Sequence, residues 1–76
     1  MEGKILELLK DLQPSFDFEE GVDFIAEGYL DSFDLVTLIG ELEDTFSVII
    51  SALELTPENF ASVESICKLV RKSKKR

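Results

Sequence analysis

Asp31-Ser32-Phe33-Asp34-Leu35-Val36-Thr37-Leu38-Ile39-Gly40-Glu41-Leu42-Glu43-Asp44-Thr45-Phe46 is the stretch from which the rest of the chain can be read. Leu35, Leu38, Ile39 and Leu42 recur at i, i+3, i+4 and i+7, and Phe46 extends the row. At about 100° per residue these side chains share one face, so the stretch is predicted to be an amphipathic helix. Asp31 and Ser32 in front of it are both residue types whose side chains cap helix starts, and spacing does not decide between them. Phe33, Val36, Gly40 and Asp44 fall on the opposite face, which is predicted to be wet and edged by Asp34, Glu41, Glu43 and Asp44. A hydroxyl, Ser32, therefore opens the helix beside a small apolar strip. An anion esterified to that hydroxyl would lie where unpaired N–H groups and the positive end of the helix dipole favour it.

Upstream, Pro14 to Asp31 is a long connection anchored by Phe16, Phe18, Val22, Phe24, Ile25, Tyr29 and Leu30. Such a segment is expected to lie packed across the helices, with Gly21 and Gly28 at sharp turns. Before it, Ile5, Leu8, Leu9 and Leu12 repeat the helical row, ended by Pro14. Downstream, Val63, Ile66, Cys67 and Val70 form a third row with Ser62 at its cap. Thr56-Pro57-Glu58 reads as cap, proline at the first helical position and an early-turn acid, predicting a short helix from Pro57 to about Phe60. Val48-Ile49-Ile50 is β-branched, but no second strand is evident to pair with it, and it is assigned to an extended loop. The fold expected is all-α, four helices with a long first loop and a short third helix.

The chain has 76 residues, 16 of them acidic and eight basic, for a net charge of −8. That length holds one small domain or a part of something larger. All the acids precede Cys67, with only Lys4 and Lys10 among them, whereas Lys68, Arg71, Lys72, Lys74, Lys75 and Arg76 crowd the end. The body should repel nucleic-acid phosphates and attract basic protein surfaces. The basic end, from about residue 71 to 76, is read as a frayed extension that serves solubility and the helix terminus. There is no His and one Cys, which removes Ser-His-Asp and Cys-His catalysis, most zinc sites and any internal disulfide. A signal peptide and an apolar run of spanning length are both missing, so the expected setting is cytoplasmic, without membrane insertion.

Ser32 lacks a base to make it a nucleophile. The acids Asp17, Glu19, Glu20 and Asp23 fail the calcium-loop spacing, since Val22 stands where glycine is required and Gly28 where glutamate is required. No catalytic or metal-binding residues are assigned. Cys67 is read as a buried, inert thiol.

Gly28-Tyr29-Leu30-Asp31-Ser32-Phe33, followed by Val36, Leu38, Leu42-Glu43-Asp44 and Phe46, resembles the acyl and peptidyl carrier proteins, and the resemblance covers the whole chain. It implies a single carrier domain over residues 1–76 that does no chemistry itself. In that family the motif serine, here Ser32 with Asp31 as its motif partner, is esterified with 4'-phosphopantetheine from coenzyme A by a phosphopantetheinyl transferase. The arm's thiol then holds an acyl or aminoacyl group as a thioester. Implied partners are that transferase, an acyl- or aminoacyl-activating ligase, and an acyltransferase or synthase, served by a monomer. Phe33, Asp34, Val36, Glu41, Glu43 and Asp44 are expected to dock them, the acids by steering basic surfaces.

Thr37 and Gly40 depart from the fatty-acid carriers, which tend to have an acid and a bulky apolar residue there. Ser47 replaces a usual glycine and Ser51 stands near a frequent proline, so the loop from Ser47 to Leu55 is expected to be shaped differently. Tyr29 to Phe33 and Leu55-Thr56-Pro57-Glu58-Asn59-Phe60 look more like stand-alone carriers paired with amino-acid-activating ligases, including the D-alanyl group. The competing reading is a small acidic helical interaction module in which Ser32 only caps a helix.

Overall fold

The computed structural model describes residues 1–76. Three helices carry the three predicted rows: α1 (Glu2–Leu12), α2 (Ser32–Phe46) and α3 (Val63–Lys72). Each turns its row inward, with Ile5 and Leu9 of α1, Leu38 and Leu42 of α2, and Ile66, Cys67, Leu69 and Val70 of α3 buried together. Burying a side chain of this size contributes about 1.5–3 kcal/mol, and α1 packs against both of the other helices to gain it.

The long first connection completes that core. Phe18, Phe24 and Leu30 are buried in it. Phe16 stacks on Tyr29 at 4.4 Å between ring centres, and Phe18 meets Phe24 edge-on at 4.9 Å. Its backbone is tied down as well: Phe24 N–H donates to the Ala61 carbonyl at 2.8 Å, and Asp23 Oδ1 accepts from the N–H groups of Ile25 and Ala26. Gly28, at φ +75°, takes the left-handed turn that delivers Tyr29 and Leu30 to the Phe24 carbonyl and sets Asp31 at the start of α2.

Three expectations are corrected. The four-helix, all-α assignment gives way to three helices, two 3-10 turns and a small sheet. The short third helix stands where it was expected, Pro57–Phe60 after Thr56, but as a 3-10 rather than an α-helix, closed by Asn59 N–H donating to the Thr56 carbonyl at 3.2 Å. Five residues separate Thr56 from Ser62, the cap of α3, enough for a short 3-10 piece but not for a sustained α-helix. Val48–Ile49 is a strand, β1, paired antiparallel with β2 (Lys74–Lys75), Val48 opposite Lys75 and Ile49 opposite Lys74. The basic end is thus not frayed: Arg76 N–H also donates to the Ser47 carbonyl at 2.9 Å. Lysines are poor strand formers, so this pairing had no local signal.

The loop after α2 begins on an unusual backbone conformation. Ser47 itself adopts the left-handed conformation, φ 53° and ψ 51°, that a glycine would favour, and Ser51 holds φ −65°, the value a proline would fix. No helix is long and apolar enough to cross a membrane.

Candidate functional site

Asp31, not Ser32, caps α2. Asp31 is extended, φ −103° and ψ −177°, and its Oδ1 accepts from Asp34 N–H at 2.8 Å, while Asp34 Oδ2 accepts from Asp31 N–H at 3.2 Å. This reciprocal capping box fixes the first turn from both sides. Asp34 Oδ2 also accepts from Gln13 Nε2 at 3.0 Å, tying the end of α1 to the start of α2. Asp34 is therefore only 8 % exposed, and the expectation that it edges the wet face is corrected: its carboxylate is consumed by the cap.

Ser32 is consequently free. It is the first residue of α2, exposed, and its hydroxyl makes no hydrogen bond within the chain. The N–H groups of the first helical turn other than that of Asp34 have no intrahelical partner, so an anion on Ser32 Oγ would meet donors and the positive dipole end. Phe33 and Val36 stand beside it on the solvent side, 78 % and 64 % exposed, and Gly40 and Asp44 continue that exposed face as predicted.

The remaining acids differ from one another. Glu41 is exposed and unpaired. Glu43 is half-buried, its Oε2 accepting from Ile50 N–H at 3.0 Å, which binds the helix end to the strand that follows. Asp44 is exposed but ion-paired with Arg76 at 3.1 Å. Glu54 pairs with Lys72 at 2.9 Å and accepts from Asn59 Nδ2 at 3.1 Å. The Lys72 ammonium, donating to that carboxylate, holds it below the usual carboxylate range.

Beside Ser32 runs a half-open groove of about 400 Å³, lined by Ile25, Leu30, Asp31, Ser32, Leu35, Leu55, Thr56 and Pro57. It joins the two stretches whose wording carried the narrower resemblance. Ile25, Leu55, Thr56 and Pro57 had not been singled out as site residues. Leu55 lies outside every helical row, and an apolar residue without a row was the signal to follow. A larger depression of about 660 Å³, between Leu6, Phe18 and Val63, shares no residue with this groove, and its rim mixes Glu2, Glu19, Glu20 and Glu64 with Lys68 and Arg71. Its one hydroxyl at a helix start, Ser62, is engaged, accepting from Ser65 N–H and donating to Ser65 Oγ, both at 3.0 Å.

The model of a family described as the phosphopantetheine attachment site matches residues 4–70. The chain belongs to this family. No curated protein and no solved structure matches it. As a phosphopantetheine-binding domain it is a site of 4'-phosphopantetheine attachment, which agrees with the acyl and peptidyl carrier resemblance and with a prosthetic-group-bearing role. The residues present fit such a group: an exposed, unbonded hydroxyl at the head of a 15-residue helix, and a partly apolar groove leading from it. Domains of this family work with partner enzymes such as transferases and synthases.

Proposed function

We propose that this phosphopantetheine-binding domain, residues 1–76, is a carrier that holds an activated acyl or aminoacyl group as a thioester on an arm attached to Ser32. The observation that supports Ser32 is its release from the cap. Asp31 and Asp34 bond each other's backbone, so the hydroxyl has no structural duty and stands exposed where a phosphodiester would be stabilised by the helix start. Attachment would join Ser32 Oγ to the phosphorus of the pantetheine phosphate of coenzyme A, releasing the adenosine bisphosphate half, with the hydroxyl proton taken by the transferase. When bound, the arm supplies a thiol for the thioester.

The chain itself would present that group and catalyse nothing. Without a base near Ser32 and without histidine, its residues position the arm and offer a face to enzymes that load and unload it. Those would be a phosphopantetheinyl transferase, an activating ligase, and an acyltransferase or synthase. Phe33 and Val36, with Glu41 and Asp44 further along α2, form the face they would approach. The resemblance of Tyr29 to Phe33 and Leu55 to Phe60 to carriers paired with amino-acid-activating ligases is what supports an aminoacyl cargo, and residues of both stretches line the groove beside Ser32.

Intact-protein mass before and after incubation with coenzyme A and a broad-specificity phosphopantetheinyl transferase tests this. One phosphopantetheinyl increment is expected, absent from Ser32→Ala. No increment on folded protein would leave Ser32 as a plain helix residue and favour the acidic interaction module.

A further inference from the structure

The cations crowded at the end of the chain are a feature of the sequence that the carrier reading leaves without a role. Two of them make ties across the chain. Lys72, the last residue of α3, pairs with Glu54 at 2.9 Å, and Arg76 pairs with Asp44 at 3.1 Å. Between them Ser73 closes α3, its Oγ donating to the Leu69 carbonyl at 2.6 Å, and its extended backbone, φ −75° and ψ 149°, leads into β2. β2 then lies on β1, and Arg76 N–H reaches the Ser47 carbonyl.

What these ties hold is a stretch with no anchor of its own. From Ser51 to Asn59, which includes the 3-10 turn Ala52–Glu54, no side chain is buried, whereas Ile50 before it and Phe60 after it sit in the core. Its hydrogen bonds are internal. Asn59 Nδ2 donates to the Glu54 carbonyl at 2.7 Å, and the N–H groups of Glu54, Leu55 and Thr56 donate to the carbonyls of Ser51, Ala52 and Glu54. These bonds shape the stretch without fixing it to the body. The Lys72–Glu54 pair is its only ion pair or hydrogen bond to another part of the chain. Leu55, Thr56 and Pro57, directly after Glu54, form one wall of the groove beside Ser32.

Both ion pairs reach solvent, so salt weakens them. On the rest of the chain salt acts in the opposite sense, because a net charge of −8 repels itself and screening relieves that. We propose that Lys72 to Arg76 are a salt-sensitive strap that holds the Ser51–Asn59 stretch, and with it one wall of the groove, against the body. Released, the stretch opens as a local unit while the helices stay folded. A charged surface that takes Lys72 or Glu54 would release it in the same way. The strap stands or falls independently of what Ser32 carries.

Backbone amide exchange of the full chain, followed residue by residue by NMR at fixed pH and temperature, tests this. Raising sodium chloride from about 20 mM to about 500 mM should speed exchange at Leu55, Thr56 and Arg76 by about threefold or more, with Leu9 and Leu42 no faster. In the double variant Lys72→Gln with Arg76→Gln, the same three amides should exchange at low salt as fast as the parent's do at high salt, and the salt response should vanish. Protection at Leu55 and Thr56 that ignores salt in the parent, or that survives the double substitution, would overturn the strap. So would salt that speeds Leu9 and Leu42 as much as Leu55, since the opening would then be global.

Discussion

At Asp31 and Ser32 two adjacent side chains with similar capping ability take different duties. Asp31 receives the Asp34 N–H and keeps the first turn in place, while Ser32 is left outside the hydrogen-bond network. Read from spacing alone, either residue could have been the cap, and losing a Ser32 cap would have cost about 0.5–2 kcal/mol. The geometry moves that cost to Asp31. Asp31→Ala is expected to lower unfolding free energy by about 1–2 kcal/mol, whereas Ser32→Ala stays within about 0.5 kcal/mol of the parent, both read from urea denaturation. A Ser32→Ala loss as large as that of Asp31→Ala would contradict the capping box. The motif was thus legible as a helix start with a hydroxyl in it. The division of labour was not, because it depends on the Asp31 backbone being extended and on Asp34 reaching back.

Each helical row was readable because apolar spacing agrees with a start or stop residue, Pro14 beyond α1, Asp31 before α2 and Ser62 before α3, where Ser62 accepts from Ser65 N–H at 3.0 Å as its cap role requires. The sheet was not readable, because β2 is two lysines whose pairing depends on a distant partner. Two predictions belong at this scale. Gly40 lies on the exposed face of α2, and a Cβ there would meet nothing within 4 Å. Gly40→Ala should therefore stabilise the chain by about 1 kcal/mol, as a higher urea midpoint at unchanged slope. The second concerns Glu54 and Lys72, which tie the 3-10 turn to the end of α3. With the Glu54 pKa depressed in the folded state, the pair favours folding above the unfolded carboxylate value of about 4.3, and that contribution is lost as pH falls through the folded value. Lys72→Gln should lower the urea midpoint at pH 7, and the gap between variant and parent should close as the buffer is taken below pH ~4. A gap that persists unchanged into acid would show that Lys72 acts through packing instead.

For the whole molecule, one core draws on all three helices and on the long first connection, whose Phe24 is wholly enclosed. Composition anticipated this core, since aromatic anchors in that connection have no other use. What composition could not supply was the pairing of charges across the chain. The cations at the end look like a separate block in sequence, yet Lys72 and Arg76 are spent on Glu54 and Asp44.

Cys67 belongs to this scale as well, because the whole core encloses it. It is 1 % exposed, and burial pushes its thiol up, away from the reactive thiolate. In the native apo chain a thiol reagent at pH 7 should label nothing, with one label appearing in urea. Native labelling would show that the core opens. Once the arm is attached, a single native label is expected, on the arm. On the carrier reading proposed above, the domain would then present one thiol in contact with water, and a thioester formed on it would find no second accessible thiol on the same chain, Cys67 being enclosed. Its transfer would wait on water, an outside nucleophile or an enzyme that comes to collect it.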